Sequence, residues 1–161
     1  MQRVLDWVER IFLWAGVVLL AAMFLVVCLQ VFTRYVLLSP LSWTEETGRY
    51  LFAWASFLGS AVLVGRSEHF SIDLIVRLLP PRTRRGLRIG VTLLVIGFAL
   101  LMVIYGLSVS RRLLTASSPV LQVSLGVVYG IIPISGLYMF LHGLVRLGRL
   151  VSGSDATEKA S

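Results

Sequence analysis

The residues with the strongest claim to chemistry lie in PLSWTEETGRYLFAW, residues 40–54. Glu45, Glu46 and Arg49 stand there at the mouth of an apolar run that continues to Gly65. Charges in such a place can cap a helix, line an ion pathway or form a docking surface. On a helix the two acids precede Arg49 by four and three residues, the favourable order for an ion pair. Ser42-Trp43-Thr44-Glu45 has the S-x-x-E form of a capping box, and both acids suit the positive end of a helix dipole. Capping therefore accounts for Glu45 and partly for Glu46. It accounts less well for Arg49, which would sit about two turns into the helix, roughly 9 Å along it. A structural role and a partner-docking role for this charged collar both stay open.

Other candidates are sparse. His69 and Asp73 are four apart, but two ligands are too few for a metal site, and they read as a hydrogen-bonded or solvated pair. His142 lies about five residues from the end of the last apolar block and reads as a packing or snorkelling histidine. Cys28 is the single cysteine and falls inside the first block, which leaves no disulfide framework or metal cluster. No Ser/His/Asp or Cys/His arrangement, phosphate loop, HExxH or paired CxxC occurs. An enzyme, a cofactor and a bound metal are therefore not expected. A pump acting alone usually places ionisable groups near the bilayer midplane. The middles of the first and third blocks hold none.

The elements that must position these residues follow from composition. Of 161 residues, 57% are hydrophobic and 14% charged, and the mean hydropathy is +0.87. A soluble domain of this length needs far more polar surface. The apolar residues come in about four blocks, each near the roughly 20 residues a bilayer crossing requires. The expectation is an all-α integral membrane protein. Its four transmembrane helices are expected at about 11–33, 43–65, 89–109 and 123–147, with both termini cytoplasmic. A short amphipathic helix at about 71–79 would lie in the interface, since Ile72, Ile75, Val76 and Leu79 recur at helical spacing. Pro133 should kink the last helix. Residues 1–151 make one membrane domain and 152–161 a disordered polar tail.

The net charge of +7 is not a nucleic-acid signature. Arg and Lys cluster between the apolar blocks, eleven on the side of the N-terminus and four (Arg34, Arg49, Arg111, Arg112) on the other. That asymmetry places both termini inside. The N-terminus does not read as a cleavable signal, because Asp6 and Glu9 mix with its basic residues and the apolar run is too long. In the second helix Ala53, Ser56 and Ser60 fall on one stripe, and Ala55 and Gly59 form a small-xxx-small pair of the kind that lets helices approach closely in lipid.

The run V-F-T-R-Y (31–35), then W-T-E-E-T-G-R-Y-L-F-A-W (43–54), F-L-G (57–59) and R-x-x-H-x-x-x-D (66–73) resembles the small, DctQ-like membrane subunit of tripartite ATP-independent periplasmic (TRAP) transporters. The resemblance covers nearly the whole chain. It implies a secondary transporter of three parts. A periplasmic substrate-binding protein captures an organic anion, a large membrane subunit moves it inward on a sodium gradient, and the small subunit is the scaffold. It further implies that Arg34, Tyr35, Trp43, Glu45, Glu46, Arg49, Phe52, Trp54, Gly59, Arg66, His69 and Asp73 serve the subunit fold or its contacts, with no catalytic or substrate site. The implied home is the bacterial inner membrane, with no nucleic acid as partner.

Two other function classes compete with this one. A stand-alone exporter or channel, acting as a homo-oligomer, would require a buried acid inside a helix. A membrane-bound regulatory protein would use its basic loop, where Arg82, Arg84, Arg85 and Arg88 can meet lipid headgroups at about 1 kcal/mol each.

Overall fold

The computed structural model describes residues 2–66 and 81–152. Among them the chain forms five helices: α1 (Gln2–Tyr35), α2 (Ser42–Arg66), α3 (Pro81–Arg112), α4 (Leu125–Tyr129) and α5 (Ile131–Ser152). The expected interfacial helix at 71–79, His69 and Asp73 fall outside the described residues, as does all of the tail beyond Ser152.

Each boundary has a local cause. α1 starts well before Ile11 because Leu5, Val8 and Phe12 continue the helical spacing. Leu5 is buried, and Val8 and Phe12 pack against the core. The helix ends where Leu38 takes a φ of 51° and the Ser39 N–H donates to the Thr33 carbonyl at 3.1 Å. α3 opens on Pro81, whose missing N–H costs nothing at a first helical position. Arg82, Arg84, Arg85 and Arg88 therefore occupy the first turns of a helix, not the loop expected for them.

Ahead of Pro133, where a kink is expected, the helical bonding is interrupted at one residue, Gly130, which itself keeps helical angles (φ −58°, ψ −21°). α4 stops after five residues, and Gly130 separates it from α5, three residues before Pro133. Proline cannot donate to the carbonyl four residues back, so the ladder loosens ahead of it. A freed carbonyl in an apolar setting needs a donor. The carbonyl so freed is that of Tyr129; beside it, the Trp54 indole N–H donates to the Val128 carbonyl at 3.0 Å.

The helices pair as two antiparallel hairpins, α1 with α2 and α3 with α5, and α2 joins the pairs by packing on α5. Ala61 of α2, Ala99 of α3, and Tyr138 and Met139 of α5 form the core. The α3–α5 seam is closed by glycine. A Cβ on Gly136 would stand 2.9 Å from the Met102 Cβ and 3.1 Å from the Ala99 carbonyl oxygen. One on Gly143 would stand 2.6 Å from the Ile96 side chain. Close backbone approach of this kind replaces the hydrophobic effect as the force between helices in lipid.

The small-residue stripe expected to pack in α2 does not do so. Ser56 and Ser60 are exposed, and a Cβ on Gly59 would meet nothing within 4 Å. The packed face is instead Gly48, Ala55, Leu58, Ala61, Val62 and Gly65, because α1 and α5 both approach from that side.

Three helical stretches among the described residues are long and apolar enough to cross a membrane: Leu5–Tyr35, Gly86–Arg112 and Leu125–Leu150. α2 was expected as a fourth. Its 25 residues give a length of about 37 Å, more than enough, but its charged first turns and its serines and glycines keep its hydropathy below that of the others.

Candidate functional site at the charged collar

The collar is built by the first two turns of α2 and the connection between α3 and α4. Ser42 is the first helical residue of α2, so it does not cap from outside, and the expected capping box is absent. The turn is fastened by Thr44, fully buried, whose hydroxyl donates to the Leu41 carbonyl at 2.6 Å. With the N-terminus closed this way, Glu45 is free to reach forward.

The two adjacent acids then diverge. Glu45 points outward and pairs with Arg49 at 3.2 Å, both side chains about two-thirds exposed. Glu46, one residue on and about 100° around the helix, is buried at 7% exposure. One of its carboxylate oxygens accepts from the Tyr50 hydroxyl at 2.6 Å. The other accepts from the backbone N–H groups of Val120 at 3.1 Å and Leu121 at 2.9 Å. These two residues are the tip of the α3–α4 connection, so one side chain ties the hairpins together across the sequence. The carboxyl belongs to the loop end of α2, ahead of the apolar run beginning at Leu51, and meets a connection rather than lipid. The Tyr50 hydroxyl chiefly holds it below the ordinary carboxylate range. Desolvation opposes this, and the Leu121 and Val120 N–H groups add to the lowering.

The connection is preformed to present those N–H groups. Ser118, fully buried, donates its N–H to the Val123 carbonyl at 2.9 Å, and its hydroxyl accepts the Val123 N–H at 3.3 Å. Gln122, with a φ of 55°, turns the chain between them. Gly126, in the first turn of α4, lets the returning chain cross the end of α3. A Cβ there would lie 2.5 Å from the Ser110 carbonyl oxygen. No carboxylate-binding signature in residues 116–124 marked this loop as the partner of Glu46.

The remaining positions singled out in the sequence do not gather at one point. Arg34, Tyr35 and Trp43 are exposed at the same end of the hairpin as the collar, and Phe52 is exposed further along. Arg66 is at the opposite end of α2, where its Nε donates to Glu9 at 2.7 Å. That pair links α1 to α2 and has no local signal in the sequence, since its members are 57 residues apart. His142 takes the packing role, its ring centroid 5.0 Å from that of Tyr138. Among the described residues, no three His, Cys, Asp or Glu side chains come together as metal ligands would. The collar can therefore do two things: hold a loop through Glu46, and offer an exposed ion pair, Glu45–Arg49, to solvent or a partner.

Fold and site together define a small helical membrane protein whose buried acid is spent on its own architecture. The model of the DctQ component of tripartite ATP-independent periplasmic transporters matches residues 23–153, and the chain belongs to that family. It is 32% identical over 116 residues to the sialic acid TRAP transporter permease protein SiaT of Haemophilus influenzae, a match covering 72% of this chain and 18% of that one. It is 25% identical over 151 residues to the sialic acid TRAP transporter small permease protein SiaQ of Vibrio cholerae, covering 94% and 86%. It is also 27% identical over 144 residues to the isethionate TRAP transporter permease protein DctMQ of Oleidesulfovibrio alaskensis, covering 82% and 22%. The chain thus spans about a fifth of two of these relatives and most of the third.

Proposed function

We propose that this small permease subunit is the scaffold of an importer that carries an organic anion, a carboxylate or sugar acid, inward on a sodium gradient. Its partners are a large membrane subunit and a periplasmic substrate-binding protein. The observation that carries the reading is the match to about a fifth of longer permeases, where a similar segment is part of a much larger polypeptide. The sialic acid in the name of one of those relatives supports a sugar acid, and the isethionate in the other's, a sulfonate, supports only the wider class of organic anions. The collar supports it too, because Glu46 is occupied in holding the α3–α4 connection and is not presented to a pathway.

In this reading α2 is the fourth span, giving four passes through the bacterial inner membrane with both termini cytoplasmic. Its support is that α2 runs back along α1 from the collar to the Glu9–Arg66 pair, burying Ala55, Leu58 and Ala61 on the way. The exposed residues of the collar, Glu45 and Arg49, are then placed to meet a partner outside the cytoplasm.

Reconstitution tests the proposal. Proteoliposomes holding only this chain take up no sialic acid, isethionate or dicarboxylate. Co-expression with a large TRAP permease subunit yields a stable complex whose uptake requires both sodium and the binding protein. Uptake by this chain alone, or failure of the two membrane chains to copurify, overturns it.

A further inference from the structure

Between α1 and α2 runs an open groove of about 770 Å³. At one end it is walled by Trp7, Arg10 and Trp14 of α1, and deeper by Val18 of α1 with Leu58 and Trp54 of α2. The residues Trp7, Ile11, Trp14 and Val18 recur at helical spacing on one face, and all are exposed. The collar does not use this groove, which lies toward the other end of the hairpin.

Three observations say what fills it. The first is charge. Among the described residues the ion pairs are Glu45–Arg49 and Glu9–Arg66. Glu9 is thus committed to Arg66, and Arg10, with Asp6 one turn before it on α1, belongs to neither pair and lines the groove. The second is level. Arg10 immediately precedes the apolar run that starts at Ile11, which places its guanidinium at the headgroup layer, beside the indoles of Trp7 and Trp14, the side chains that favour that layer.

The third is depth. From Arg10 to Val18 is eight residues, about 12 Å along the helix, and from Arg66 back to Trp54 is twelve, about 18 Å. Half of a hydrocarbon core roughly 30 Å thick is about 15 Å. The groove is therefore one leaflet deep. A partner's transmembrane helix would run the full thickness, whereas an acyl chain ends near the midplane.

We propose that this groove binds one anionic phospholipid, its phosphate against Arg10 and an acyl chain between Val18, Leu58 and Trp54. The site rests on α1 and α2 standing in a bilayer and is independent of the importer reading. It is distinct from the cluster of arginines that opens α3.

Three of the four tryptophans line the groove, so fluorescence reports on it directly. In the full-length Trp43→Phe chain, delipidated in detergent, phosphatidylglycerol with brominated acyl chains is titrated. Quenching is expected to saturate near one lipid per chain. Arg10→Gln weakens binding about fivefold, and brominated phosphatidylcholine binds the parent chain as weakly as phosphatidylglycerol binds that variant. Ala15→Phe, which adds a ring to the groove wall, blocks quenching without touching the charge. It keeps the test decisive if Arg10→Gln elutes as an aggregate. Quenching that rises without saturation and is equal for both lipids and all variants marks ordinary solvating lipid and overturns the proposal. So does complete shielding of the groove tryptophans on adding the large permease, which makes the groove a protein contact.

Discussion

The α3–α5 seam and the outer face of α2 are both rich in small residues, yet they behave in opposite ways. At the seam, Gly136 and Gly143 are pressed against Met102, Ala99 and Ile96, leaving no room for a methyl group. On α2, Gly59 meets nothing and Ser56 and Ser60 are exposed. The lesson is that small side chains in a membrane helix mark a place where something can come close. They do not say whether that something is the same chain. At the seam it is; on that face of α2 nothing among the described residues comes close, and in the proposed function a partner would.

The largest effect should come from filling the seam. Gly136→Leu forces side chain into the Ala99 backbone and should lower the stability of the purified chain by about 1–3 kcal/mol or more, read as a fall in Tm. Gly59→Leu should leave that Tm unchanged and reduce copurification with the large permease. A Gly59→Leu chain that assembled normally would show the α2 face to be lipid-facing, and the contrast would then be between protein and lipid contacts.

A smaller, local effect should distinguish the two neighbouring acids. Glu46→Ala removes the acceptor of the Val120 and Leu121 amides, and their hydrogen exchange should quicken roughly tenfold. Glu45→Ala should leave them alone. The same amides should respond to pH. The folded Glu46 carboxyl titrates below its ordinary value of 4.5, so its anchoring is at full strength above that value and is lost as pH falls through the lower folded one. Exchange corrected for its intrinsic pH dependence should therefore be flat from neutrality down to about that point, then accelerate.

Least of all should be the effect of Arg49→Ala on the isolated chain. An exposed i,i+4 pair contributes about 0.3–0.5 kcal/mol, so the Tm should hardly move. If the collar is a docking surface, complex yield should fall further than for Arg112→Ala. Equal yields would reduce the Glu45–Arg49 pair to an incidental surface contact.

Much of the fold was legible in the residue order. The apolar blocks, the proline in the last helix and the i,i+4 relation of Glu45 and Arg49 are local patterns, and local patterns act through helix geometry alone. The boundaries were less so: α1 is longer than its apolar run because Leu5, Val8 and Phe12 find the core, and the bonding of the last helix is interrupted at Gly130. The collar was half legible. Its Glu45–Arg49 pair obeys a spacing rule, whereas the fate of Glu46 depends on a loop more than seventy residues away.

What the amino-acid sequence determined by itself is therefore the class: a helical membrane chain, poor in midplane charge, carrying the V-F-T-R-Y and W-T-E-E-T-G-R-Y motifs of its family. What only the tertiary structure decided is which side of each helix is inside. α2 could have packed through Ala53, Ser56 and Ser60 or through Ala55, Leu58 and Val62, and both stripes satisfy helical periodicity. The choice fell to the second because α1 and α5 approach there together, with Trp54 reaching Val128 and Glu46 reaching Val120 and Leu121. In lipid, burial of apolar surface cannot choose between faces, since the solvent is as apolar as the side chains. Close contact and satisfied hydrogen bonds choose instead, and both exist only once the helices have met.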